Sequence, residues 1–137
     1  MAANPVRQAI YSLLAADSTL IGLLAAQSAI YHQQAPRLAA TPYVVFSKQS
    51  GTPAWMYGGA DTQSDLWLIK AVDRSPSSTT AETVAARLDA LLKDAALAVS
   101  GRTTLWMRRD SDIQYPEQDG ADVFQHCGSV WRLLTTS

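Results

Sequence analysis

His126 and Cys127 are neighbours, and a thiol beside an imidazole is the first pair in this sequence that could supply a nucleophile and its base. That chemistry needs the two side chains in hydrogen-bond contact, with a third group orienting the base. Successive residues of an extended strand point to opposite faces, so the pair reads as two ordinary strand residues. His32 is the other histidine, and nothing near either one completes a metal-ligand spacing.

Carboxylates recur at Asp61, Asp65, Asp73, Asp110, Asp112, Glu117, Asp119 and Asp122. General acid and base work requires two of them in one cleft with separated pKa values, which no spacing here implies. Asp110 and Asp112 are expected on one face of a strand. A calcium loop opening at Asp110 would need glycine at its sixth position, where Tyr115 stands. Turn formation and solvation are the expected roles.

Gly58-Gly59 lacks the further glycines of a dinucleotide fingerprint and the lysine of a phosphate loop. Arg108 and Arg109 form the one adjacent basic pair, and strand alternation aims them to opposite sides. One of them could face a nucleic-acid channel or an acidic partner. The plainer reading is charge on an exposed strand edge, where it discourages aggregation. No catalytic, cofactor or metal constellation is expected.

Trp55, Met56 and Tyr57 stand between Gly-Thr-Pro and Gly-Gly in the stretch GTPAWMYGGADTQSD from Gly51 to Asp65. Pro53, Gly58 and Gly59 argue against a continuous strand and predict a loop. Large apolar side chains on a loop either fold back onto their own core or meet a partner. Trp55, Met56, Tyr57, Arg108 and Arg109 are therefore the candidate interface residues.

The elements that position these residues follow from composition and periodicity. With 137 residues, 47% hydrophobic and 17% charged, the chain is expected to form one domain over residues 1–137 around one core. A formal charge of -1 gives no general attraction for nucleic acid or an anionic membrane. Cys127 stands alone, so no disulfide framework is possible within the chain. No stretch has the apolar length of a membrane span, and the first residues lack the apolar core of a leader, which reads as folding in the cytosol.

Asn4 and Pro5 mark a helix start, and Val6, Ile10, Leu13 and Leu14 carry it to about Asp17. Ser18 and Thr19 offer a cap for a short second helix over Leu20 to Ala26. Ala29 to Gln33 reads as an edge strand, Tyr43 to Lys48 and Asp65 to Val72 as a long hairpin with the aromatic residues at its tip. Thr79 and Glu82 form a capping pattern for a helix reaching about Leu97. Thr103 to Tyr115, a turn at Pro116 to Gly120, and Val123 to Leu134 make a C-terminal hairpin. Each helix must cover a sheet face, so the fold class is α+β: a single mostly antiparallel sheet with two main helices packed on one face and a long C-terminal hairpin.

The order of segments IYHQQAP, TPYVVFSKQSG, SDLWLIKAVDRSPSSTTAETVAARLDALL and QDGADVFQHCGSVWRLL resembles the tail-completion, or tail-terminator, proteins of long non-contractile-tailed bacteriophages. It spans nearly the whole chain and rests on Tyr31 with Ala35-Pro36, the Pro42-Tyr43-Val44-Val45 strand, and the passage through Asp73 and Ser75 to Ala81 and the Leu-rich helix. The resemblance implies a non-enzymatic virion assembly protein made in the host cytoplasm. It implies a six-membered ring of copies at the head-proximal end of the tail tube, which stops tube growth and docks to the head connector. Its partners would be further copies, the major tail tube protein and the connector proteins, with DNA passing through without sequence-specific binding, and no cofactor or membrane. The bulk of Trp55, Met56 and Tyr57 departs from the family pattern. Two alternatives stay open: a neck or head-closure subunit, and a cellular small-ligand-binding domain with the aromatic loop as a lid.

Overall fold

Val6, Ile10 and Leu14 recur at one-turn spacing and are buried, which gives Pro5–Ala15 (α1) one apolar side. The computed structural model describes residues 5–55 and 61–137, so the expected Asn4 cap lies outside the described residues. A second, separate helix, α2, covers Ser18–Leu23. Its cap is Asp17 rather than Ser18 or Thr19, because the Asp17 carboxylate accepts the Leu20 N–H at 2.8 Å.

Five strands follow around one further helix: β1 (Ile30–His32), β2 (Tyr43–Trp55), β3 (Asp61–Arg74), α3 (Thr79–Leu92), β4 (Thr103–Asp119) and β5 (Asp122–Thr136). They form one sheet in the order β1-β2-β3-β5-β4. Only β1 and β2 run parallel; the other neighbours are antiparallel. The expected α+β architecture is the observed one.

The helices share one face of the sheet. Trp67, Ile69 and Ala71 of β3, Phe46 of β2 and Trp131 of β5 point into a core with Leu88 and Leu92 of α3. Each such side chain contributes roughly 1.5–3 kcal/mol relative to exposure. Alternate residues of β3 carry this face, the period-2 signature of a strand.

Element ends differ from expectation for local reasons. β2 continues past Lys48 through Gly51 and Pro53 to Trp55, and β3 begins at Asp61. Among the described residues β1 pairs with β2 only at Val44, Val45 and Phe46, so the rest of β2 is an edge, where a proline is tolerated. Likewise β4 runs through Pro116, and the turn shrinks to Gly120 and Ala121. Gly120 has φ +61°, as the first central position of a II′ turn requires. Ser78 rather than Thr79 precedes α3, and its hydroxyl donates to Glu82 at 3.1 Å. α3 stops at Leu92 because Asp94 adopts φ +55° and gives its N–H to the Met107 carbonyl.

Candidate functional site

β5 carries His126 and Cys127 on opposite faces, as alternation predicts. His126 pairs with Val72 and Tyr115 on the helix-free side; Cys127 pairs with Ala71 and Gln114 on the helix side. Burial pushes the Cys127 thiol up, with Glu82 and Asp112 adding to the shift, which leaves little thiolate. The two side chains make no nucleophile and base.

A bulge in β4 changes the expected placement of the acidic pair. Arg109 is opposite Trp131 and Ser111 opposite Val130, so Asp110 is an extra residue and the alternation resets there. Asp112 then lies on the helix side, accepting the Ser129 hydroxyl at 2.9 Å, whereas Asp110 meets Arg132 on the other side at 3.4 Å. Asp110 and Asp112 are thus on different faces. Among the described residues no group of three His, Cys, Asp or Glu side chains is placed to hold a metal ion.

Arg108 and Arg109 part company as expected. Arg109 bridges to Asp89 of α3 at 3.0 Å and to Asp112 at 3.4 Å, tying β4 to the helix layer. Arg108 lies on the helix-free face with its guanidinium 4.8 Å from the Trp106 ring centroid. Trp55 ends β2 instead of sitting on the loop, and it is 76% exposed. Met56 and Tyr57 lie outside the described residues.

The feature that sequence reasoning missed is the helix-free face itself. Leu66 and Leu68 of β3, Val130 and Leu134 of β5, and Trp106 and Ile113 of β4 stand there, half-buried and, among the described residues, with no helix above them. The signal was present: LWLI is apolar at four consecutive positions and VWRLL at all but Arg132, the pattern of a strand covered on both faces.

A polar cluster crosses one end of this face. Gly128 has no side chain, so Lys70 reaches over it from β3 to the Tyr115 hydroxyl on β4 at 3.0 Å. Tyr115 stacks on His126 with centroids 4.5 Å apart, and His126 Nε2 lies 3.1 Å from a Glu117 carboxylate oxygen. His126 is 7% exposed and its Nδ1 has no hydrogen-bond partner among the described residues. Burial lowers its pKa, opposed by Glu117.

The two hairpins end at opposite ends of the sheet. Thr62 pairs with Thr136 near Trp55, while Arg74 pairs with Phe124 near the Gly120 turn. At about 3.3 Å per residue the 14 residues of β3 separate these ends by on the order of 45 Å.

The family model described as tail completion protein gp17 matches residues 8–128. The chain belongs to that family. The family is one of structural bacteriophage tail proteins, which are generally non-enzymatic. Membership sets aside the cellular ligand-binding alternative. Among solved structures, a chain from the virion of a native gene transfer agent particle is 20% identical, with a TM-score of 0.82 over 96% of this chain and 95% of that one. A second solved chain is 19% identical, with a TM-score of 0.58 over 94% of this chain and 93% of the other. At these identities the likeness is one of fold. No curated protein matches the chain. Among the described residues no helix is long and apolar enough to cross a membrane.

Proposed function

We propose that this tail protein caps the head-proximal end of the tail tube and ends its growth. Copies of it form a ring, six-membered by family resemblance, that docks the tail to the head connector. DNA passes through the ring without base-specific contact. The observation that supports this reading best is a sheet with one face covered by helices, an apolar second face left open, and hairpin ends about one sheet length apart. A ring needs two different adhesive flanks on each subunit, and an axial cap needs two different ends. A gene transfer agent virion chain shares the fold over nearly its whole length.

Within this reading Trp55, with Met56 and Tyr57, anchors a neighbouring copy or the tube protein, since large aromatic side chains often dominate interface energies. Arg108, on the open face, is a partner contact. Arg109 is already engaged with α3 and supports the subunit instead.

The deciding experiment adds purified protein to tail tubes made without it. Capping is expected to arrest tube lengthening and to restore joining to filled heads, both visible by negative-stain microscopy. Protein that binds filled heads and leaves tubes growing is a neck subunit, and the capping role is then wrong.

A further inference from the structure

The two outer strands of the sheet, β1 and β4, carry grooves of opposite charge on the helix side. At the β1 edge a pocket of about 460 Å3 lies between α1 and the strands, lined by Arg7, Gln8, Tyr11, Ser12, His32 and Phe46. Every polar side chain in that wall can donate a hydrogen bond, one is a guanidinium, and none is a carboxylate. Burial and then the Arg7 charge lower the His32 pKa, with no carboxylate opposing them. Such a wall takes an anion. The pocket is open to solvent, with Tyr11 44% exposed, so a small free anion would keep much of its surface in water. A carboxylate carried on a protein surface brings its own cover.

At the β4 edge a groove of about 580 Å3 between α3 and β4 sets three carboxylates, Glu82, Asp89 and Asp112, against one guanidinium, Arg109. The Asp112 side chain is 69% exposed, and Ser129 and Arg109 both contact its Oδ1, which leaves Oδ2 without a hydrogen-bond partner among the described residues. Strand register puts the two edges level. His32 pairs with Phe46, Phe46 with Ile69, Ile69 with Ser129 and Ser129 with Asp112, one row across the helix side of the sheet. Rotation about an axis along the strands keeps each row at its height. In a ring about such an axis the β1 edge of one copy therefore meets the β4 edge of the next with His32 and Asp112 level.

We infer that the β1-edge pocket receives Asp112 of a second copy, so that Arg7 and His32 of one subunit meet the acidic β4 edge of the next. This contact is the junction of the ring proposed above and rests on that reading. It is heterologous, as closure of a ring requires. Opposite charges at the two edges also disfavour copies meeting β1 to β1 or β4 to β4.

Gln8→Glu adds a carboxylate to the pocket at nearly constant shape, and the first turn of a helix favours an acidic side chain, so the fold is kept. Asp112→Asn removes the opposing charge while keeping an acceptor for the Ser129 hydroxyl. Gln8→Glu/Asp112→Lys exchanges the two charges. Each variant is compared with the wild type by thermal melting, by glutaraldehyde cross-linking of copies in solution and on tube ends at low and high salt, and by tube arrest. The expected result is a melt close to wild type for Gln8→Glu and Asp112→Asn, with cross-linking between copies reduced about tenfold or more in both. The exchanged variant should recover it, and salt should weaken it in the wild type. Wild-type cross-linking by both single variants overturns the inference while leaving the capping reading in place. Loss with Gln8→Glu alone also overturns it, since the pocket then takes an anion other than Asp112. Loss in both single variants without recovery in the exchanged one overturns the pairing of the two edges. Failure of the wild type to arrest tubes removes the capping reading, and cross-linking in solution still reports on the contact.

Discussion

Arg87 of α3 grips Asp17 through two hydrogen bonds, from Nε at 2.8 Å and from Nη2 at 2.7 Å, while the same carboxylate caps α2 by accepting the Leu20 N–H. One side chain therefore joins the α1–α2 corner to the long helix. Asp17→Ala should lower stability by about 1–2 kcal/mol from the lost cap alone, measured by urea unfolding. The hydrogen bonds from Arg87, then the backbone bond from Leu20, hold the Asp17 carboxyl below its usual range against an opposing burial cost. A depressed folded value contributes stability that is present above roughly pH 4 and fades as pH falls through the lowered value. Asp17→Asn should flatten the acid side of the stability profile; an unchanged profile would show that Asp17 contributes nothing there.

His126 gives a second pH dependence, in a different window. Burial lowers its pKa, Lys70 lowers it further, and Glu117 opposes them. The unfolded chain then binds the proton more readily than the fold does, so stability falls as pH drops below roughly 6.5 and recovers as it rises. His32 shifts in the same direction, chiefly by burial and then by Arg7. Replacing His126 with Gln should remove part of the slope below about pH 6.5, and His32→Gln another part. Thermal melts across that range check both, and a slope untouched by either change refutes the assignment.

Gly128 is required by close approach rather than by φ. A Cβ there would press on the Ile69 carbonyl and sit 2.5 Å from the Lys70 Cα, both parts of a neighbouring backbone that cannot swing away. Gly128→Ala should cost about 1–3 kcal/mol, read by chemical denaturation. Gly120→Ala meets open space but must hold a positive φ, a smaller cost of order 1 kcal/mol.

Arg108 and Arg109 should separate by assay. Arg109→Ala loses partly exposed bridges to Asp89 and Asp112 and is expected to lower stability by less than about 1 kcal/mol, the more so at low salt. Arg108→Ala should leave the melt unchanged and weaken tube capping. Reversal of that pattern in parallel melts and capping assays would reassign the two residues.

Trp55→Ser belongs to the same comparison. A side chain this exposed contributes little to the monomer, so stability should change by less than about 0.5 kcal/mol while assembly weakens. Capping by this variant at the wild-type protein concentration would remove Trp55 from the interface.

Short-range patterns determined much of this protein. The 3.6-residue recurrence of Val84, Leu88 and Leu92, the alternation of Trp67, Ile69 and Ala71, and the adjacency of His126 and Cys127 each concern neighbours in the chain, so helix, strand and the lack of a nucleophile pair were legible. The family resemblance drew on the same local patterns, and the match over residues 8–128 agrees with it. What only the tertiary structure decided involves pairing between distant segments. Asp110 left the face of Asp112 because β4 takes a bulge against β5, and Pro53 stayed in a strand because β1 is too short to cover that edge. The Asp17 carboxylate that caps α2 is also held by Arg87, 70 residues away, a contact that local sequence does not encode. Leu38 and Asp119 line one cleft although they belong to segments far apart in the chain. A residue's own propensity cannot encode such relations, since they depend on which strand lies beside it and in what register.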